Sequence, residues 1–500
     1  MGDLYSDDLL RLAEGDTRPD FDDTAFSNAA GMVYRAGGFD ASMLNTPEAR
    51  EMIAETLRVL KTGIDSGLPV EVPEVLRYAL ENNAFIFSGF KAFHTLREVG
   101  LSLLTDKGKI KPFETFRKDV ETINKRYNHN YLYAEYNHAV GASLMASRWQ
   151  QIEADGDKYD LQYRTAQDDR VREDHAILHG TTLPPSDPFW GKYMPPNGWN
   201  CRCTAVQVRK GKYPLSDPDL SMKRGDNCTE AAKQQIFRFN PGKELQLFPP
   251  KHPYFKAPEP AKQVIEQMSE EQKREQRIAE MIAELPENLT ESEKKAIAEH
   301  NLDIEKVLGT TKGKPMSVDD ADKQHANPNY GKSRAYGINC QTCTPAYVLR
   351  LLGFDLKAKP NTSGSKLDYL SRGFNAWEVW KNPDGTKATH TRVNDWLSQK
   401  GYKVMNEKRW VEFFNETCKE VGVYGLSIGW KRGGGHMTVL QRFKDGTLRY
   451  IEPQHDNSQD KTRDLNYLAK YGATRQHDCR GIMRLDNKLF DCSFLDIFDK

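Results

Sequence analysis

Met437-Thr-Val-Leu-Gln-Arg-Phe443, then Lys444-Asp-Gly446, then Thr447-Leu-Arg-Tyr-Ile451 is two β-prone runs flanking a turn. Asp-Gly between such runs is a strong hairpin signal, because glycine accepts the positive φ that a tight strand reversal needs. Upstream, Val421 to Trp430 is strand-like and is followed by Gly433, Gly434 and Gly435. Further upstream, Asn339 to Leu352 reads as a helix with Gly353 just past its end. A helix followed by antiparallel strands predicts an α+β domain, placed at residues 315–500.

The chain has 500 residues, and at ~100–200 residues per domain that suggests about three parts. The first, 1–256, is expected to be mostly α. Ile53, Leu57 and Leu60 have helical spacing, as do Val75, Leu76 and Leu80, then Tyr133, Tyr136 and Val140. Within it, Pro184, Pro185, Pro188, Pro195 and Pro196 preclude long helices over 181–203 and predict a compact, loop-rich module. Residues 238–260, rich in proline and aromatics, read as a strap closing that domain. Residues 257–314 are expected to be a helical linker, with capping boxes at Ser269/Gln272 and Thr290/Glu293.

Lys+Arg and Asp+Glu are both 71, which argues against a whole-chain polyanion binder, and no specific nucleic-acid signal is present. No window approaches the ~18 apolar residues needed to span a bilayer. The start, Met1-Gly-Asp-Leu-Tyr-Ser-Asp-Asp8, has no apolar stretch of signal-peptide type, although Gly2 and Ser6 formally fit an acylation pattern. Eight cysteines include two close pairs, 201/203 and 340/343, which fit reduced thiols better than a disulfide framework.

In the third part, Cys340 follows Asn339, a good N-cap, so its thiolate would lie at a helix N-terminus. The N–H groups there could also receive an oxyanion. His436 follows the glycine run and opens an apolar strand, where it could take the thiol proton. Glu452 lies on the partner strand and could orient the imidazole. Pro345 complicates this, because it is uncomfortable inside a helix that begins at Cys340. Cys343 is therefore the alternative nucleophile.

These residues resemble the papain-fold toxin family, found as C-terminal modules of polymorphic toxins. The resemblance runs from Asn327-Pro-Asn-Tyr330 through Asn339-Cys340, Ala346 and Gly353 to Gly435-His436 and Glu452-Pro-Gln454. It implies a papain-like fold acting as a glutamine deamidase or cysteine protease, with Cys340 as nucleophile, His436 as base, and no cofactor required. Glu452-Pro-Gln454 stands where the family usually has Asp-Pro-Gln, so Gln454 and Asp456 remain alternatives for the orienting role.

In the first part, the densest pattern runs Asp168-x-x-Val171-Arg172-x-x-His175, His179, Asp187-Pro-Phe-Trp190, Pro196-Asn-Gly198 and Cys201-Arg-Cys203. A helix would put His175 and His179 on one face, and an extended segment would put Cys201 and Cys203 on one side. Together they would offer four ligands for a structural zinc, the alternative being buried side chains that pin the loops. Over residues 80–210 this resembles the phage Mu F-like head morphogenesis family. That implies a structural minor capsid role at the portal and head, and no enzymatic activity there.

The combined expectation is a phage or prophage minor head protein, located in the virion and the host bacterial cytoplasm. Its C-terminal effector would hydrolyse an amide of a target protein, most simply by deamidating a glutamine, with an immunity protein as a further partner. The alternatives are a purely structural capsid protein and a capsid-associated cysteine protease.

Overall fold

The Asp22 carboxylate accepts from the Thr24 N–H at 2.9 Å and starts α1 (Asp23–Ala36). Thr46 caps α2 (Pro47–Gly67), whose first residue is a proline with its φ already helical. There follow α3 (Glu74–Leu101), α4 (Phe113–Asn124) and α5 (Leu132–Asp155), the last two joined by a π-helical stretch, Lys125–Tyr131. Ile53, Leu60, Leu76, Leu80, Tyr133 and Tyr136 are buried, as their spacing predicts. Val75 is 72% exposed, because it sits in the first turn of α3 on the face turned from the core. The strap reaches back onto α3: Phe248 stacks on Phe87, and the Leu247 and Phe248 N–H groups donate to Asn83 Oδ1 at 2.9 and 2.8 Å.

The structure, a computed structural model, describes residues 20–322, 325–429, 434–455, 465, 468 and 480–500. Gly2, Ser6, Trp430, Gly433 and Asp456 lie outside the described residues. The chain divides into two units, Met1–Lys273 and Arg274–Lys500. The division falls inside the helix Glu259–Glu284. The segment expected as a linker supplies core residues: Ala261, Ile265 and Met268 in the first unit, Ile304 and Leu308 in the second. Ser269 is not a cap. It lies within that helix, and its hydroxyl donates to Asn82 Oδ1 at 2.8 Å. The second capping box is present, with Thr290 Oγ1 accepting from the Glu293 N–H and the Glu293 carboxylate accepting from the Thr290 N–H.

Among its described residues the first unit carries one small antiparallel sheet beside its helices. Strands β1 (Tyr159–Arg164), β2 (Thr182–Leu183) and β3 (Thr204–Arg209) lie in the order β2-β1-β3. Their core joins Trp149 of α5 to Tyr163, Phe189, Trp190, Tyr193 and the three cysteines 201, 203 and 228.

In the second unit, β4 (Lys357–Ala358) and β5 (Trp380–Lys381) pair with strands near the C-terminus, as described next. The main sheet contains β6 (Thr391–Arg392), β7 (Gly422–Gly429), β8 (Gly435–Arg442), β9 (Leu448–Ile451) and β10 (Gly481–Arg484), ordered β6-β10-β7-β8-β9 and antiparallel throughout. β11 (Leu489–Phe490) pairs with β5, and β12 (Phe498–Asp499) with β4. The expected hairpin is β8–β9, with Phe443 N–H donating to Thr447 O at 2.9 Å and Asp445 capping the turn. Val439 and Ile451 share a core with Ala346 and Val348 of the helix Cys340–Leu351. Leu440 and Tyr450 alternate with them and pack with Trp410, Phe413 and Phe414. Alternation along one strand thus serves two cores. The chain is a mixed α/β protein with an N-terminal helical region and several small sheets. Among the described residues no helix is long and apolar enough to cross a membrane.

Candidate active site and a cysteine–histidine cluster

The helix Cys340–Leu351 begins at Cys340, with Pro345 inside it. Its first turn is tight: the Thr342 and Cys343 N–H groups both donate to Asn339 O, at 2.9 and 3.1 Å. The Asn339 side chain, expected as the cap, makes no capping bond. Its Nδ2 donates to Lys359 O at 3.1 Å, and its Oδ1 accepts from the Cys343 thiol at 3.4 Å. Gln454 does the capping instead. With its amide oxygen turned to the helix, it accepts from the Cys340 N–H at 3.0 Å and the Asn339 N–H at 3.1 Å. The reverse orientation would set oxygen against acceptors, so the hydrogen-bond network selects this one.

His436 enters from β8 and is buried. Its Nε2 lies 2.7 Å from Glu452 Oε2, which leaves Nδ1 as the ring nitrogen for the Cys340 thiol. Burial by itself would lower the imidazole pKa. The charge of Glu452 and the hydrogen bond with Cys340 outweigh it, and the ring is pushed up to about 10. Burial opposes ionisation of Glu452, but the charge and hydrogen bond of His436 hold its carboxyl below the ordinary range. Glu452 also accepts from the Tyr450 hydroxyl and from the Gln454 N–H at 3.1 Å, and His455 Nε2 lies 3.5 Å away. The extra methylene of Glu relative to Asp is therefore accommodated.

The two thiols one turn apart occupy opposite environments. Cys340 is partly exposed and beside His436. Cys343 is fully buried, and burial, followed by the charges of Cys340 and Glu452, pushes its thiol well up. Such a thiol is a poor source of thiolate.

Two buttressing residues escaped the sequence reading. Tyr450 lies two before Glu452, which directly follows the end of β9, so period-two alternation was the available signal. Asn327, quoted in the motif but given no role, donates through Nδ2 to Gln454 O at 2.7 Å and Tyr336 O at 2.9 Å. It ties the segment before the helix to the strand end carrying Glu452.

In the first unit the motif residues fix one another. Asp168 accepts both Arg202 guanidinium nitrogens at 2.6 Å, Asp187 caps the short helix Pro188–Tyr193, and Tyr163 donates to Asn197 Oδ1 at 2.9 Å. Cys201 and Cys203 face one side as expected, each sulfur 3.6 Å from His175 Nδ1. His175, Cys201 and Cys203 form a group that could hold a metal ion. His179 is corrected out of it. The helix carrying His175, Glu173–Ala176, ends before His179, whose Nδ1 meets the Thr165 N–H at 3.1 Å instead. Cys228, which no local motif marks, is buried on the same imidazole.

Residues 111–206 match the family model described as phage Mu protein F like protein. A stretch of 111 residues, 21% of the chain, is 41% identical to protein F of Escherichia phage Mu, a protein named for capsid assembly, and covers 25% of it. Another of 81 residues, 15% of the chain, is 36% identical to the Mu-like prophage FluMu F protein of Haemophilus influenzae and covers 20% of it. The chain thus spans about a quarter or less of the length of the curated relatives it matches. No solved structure matches. The stretch that holds the Asp168–His175 string and the Cys-Arg-Cys segment therefore resembles the phage Mu F-like head and capsid assembly proteins.

Proposed function

We propose that the chain is a phage or prophage minor head protein whose second unit is a papain-like, cysteine-dependent amidohydrolase that deamidates a glutamine of a target protein. The head role is supported by the similarity of residues 111–206 to the Mu F-like proteins, and it makes portal or capsid proteins the partners of the first unit. The virion and the host cytoplasm are its places of action, and an immunity protein is a further partner. The enzymatic role is supported by the convergence of Cys340, His436 and Glu452.

In this reading the Cys340 thiolate adds to the glutamine side-chain carbonyl carbon. The C–N bond then breaks, and ammonia leaves with a proton from His436. Water, losing a proton to His436, hydrolyses the thioester to glutamate and restores the thiol. Glu452 keeps the imidazole oriented and stabilises its charge.

One observation favours a second, purely structural reading. The Cys340 N–H, the natural oxyanion donor, already donates to Gln454. Catalysis requires the Gln454 amide to yield that donor to substrate.

The test is inducible expression of the full chain in bacteria, wild type against Cys340→Ala and Cys343→Ala, with glutamine-to-glutamate conversion in host proteins followed by mass spectrometry. Wild type and Cys343→Ala that still folds should arrest growth and convert glutamine, and Cys340→Ala should do neither. Equal conversion by Cys340→Ala would overturn the enzymatic reading.

A further inference from the structure

The helix Glu291–Leu308 buries one stripe of residues: Ile297, Ala298, Asn301, Ile304 and Leu308. An apolar stripe is what a core-facing helix requires. Asn301 is the exception: it is 2% exposed, and among the described residues its side-chain amide has no hydrogen-bond partner. A leucine would fit there without the desolvation that an unmatched amide costs.

Asn301 lines a cavity of about 220 Å³ that lies within the second unit. The apolar wall comes from three places: Leu285 just past the helix Glu259–Glu284, Val348 in the helix of Cys340 with Leu352 just past it, and Val423 on β7. Pro286, Asn288 and Pro315 also line the cavity and are exposed, so it opens to the surface.

We propose that this cavity is a binding site for a small neutral carboxamide with an apolar body, its amide paired with that of Asn301.

Size, charge and hydrogen bonding each support this. A cavity of ~150 Å³ takes benzene, so this one has room for about nine non-hydrogen atoms. The ionisable side chains in the wall already have partners. Lys312 pairs with Glu284 at 2.5 Å, and Asp486 with Arg484 at 2.8 Å. The Arg442 guanidinium donates to Cys418 O and Gly446 O, both at 2.8 Å, and to Asn415 Oδ1 at 3.3 Å. A charged head group would have to displace one of these partners, and a neutral one would not. The Asn301 amide offers two donors and an acceptor oxygen, and a carboxamide returns both roles in one plane. Mostly apolar walls with a few placed polar groups are the ordinary make-up of a small-ligand site. The site does not depend on whether the second unit is an enzyme.

Benzamide, benzoate and toluene share a ring and differ in the head group. Titrated into the full-length protein and followed by ligand-detected NMR, benzamide should bind saturably and about tenfold tighter than either of the others. Asn301→Leu should reverse the order, binding toluene tighter than benzamide, because leucine offers the amide no partner. Leu352→Trp should fill the cavity and lose all three. The two substitutions lie on different elements, so either one that folds decides the matter. No saturable binding of benzamide to wild type overturns the proposal, as does unchanged benzamide affinity in folded Asn301→Leu. Benzoate bound as tightly as benzamide refutes the neutral head group. Benzamide bound by Leu352→Trp as by wild type refutes this cavity as the site.

Discussion

His436 sits between a carboxylate and a thiol, so its proton is part of the fold as well as of the chemistry. Its pKa is about 10 in the folded chain against an ordinary value of ~6.5, so folding binds that proton more tightly. The resulting stability is complete below about pH 6.5 and is lost as pH rises through about 10. Glu452 has the opposite sign: its carboxyl is held low, so its contribution is present above the ordinary carboxylate range of ~4.3 and is lost as pH falls. Urea unfolding of wild type and Glu452→Gln should therefore differ most between about pH 5 and 6.5 and converge towards pH 10. A difference that does not change with pH would mean that the pair is not ionised as described. Cys340, His436 and Glu452 were legible in the sequence because each has a local signature: a cysteine after Asn339, a histidine after glycines, an acid ending a strand. The contrast between Cys340 and Cys343 was not legible. Both lie in the same helical turn, and only the packing of that turn decides which thiol meets water.

Some elements followed their local signals. The β8–β9 hairpin formed at Lys444-Asp445-Gly446, and Thr290 with Glu293 closed its capping box. Ser269 had the same local pattern but lies in the interior of a longer helix, because the apolar residues before it, Ala261 and Ile265, also found a core. Two glycines set how closely elements approach. At Gly225, on the helix that ends in Cys228, an added Cβ would lie 2.4 Å from the Tyr193 ring. Tyr193 is buried and bonded to Asp226, so it has no room to retreat. Gly353, past the helix of Cys340, has φ +104°, and an added Cβ would lie 2.2 Å from Gly313 O. Gly225→Ala should cost about 1–3 kcal/mol as overpacking. Gly353→Ala should cost at least as much, since backbone strain of about 1–3 kcal/mol adds to the clash. Denaturant midpoints measure both, and an unchanged midpoint in either variant would contradict the contact assigned to it.

For the molecule as a whole, two units with separate cores should unfold as two cooperative events. Calorimetry of the full chain should resolve two transitions, with Gly225→Ala lowering one and Gly353→Ala the other. If both variants shifted a single transition, the units would not be independent in stability. The sequence alone determined the helical first part, the hairpin, the candidate triad and the Mu F-like string, because each rests on spacing within one short stretch and on the chemistry of the residues there. Tertiary structure alone decided that Cys201 and Cys203 meet His175 without His179, that Gln454 rather than Asn339 caps the helix of Cys340, and that Tyr450 holds Glu452. The first two of these join residues far apart in the chain, and all three depend on which faces become buried. Local periodicity carries no information about that choice, because the free energy that makes it comes from packing between elements.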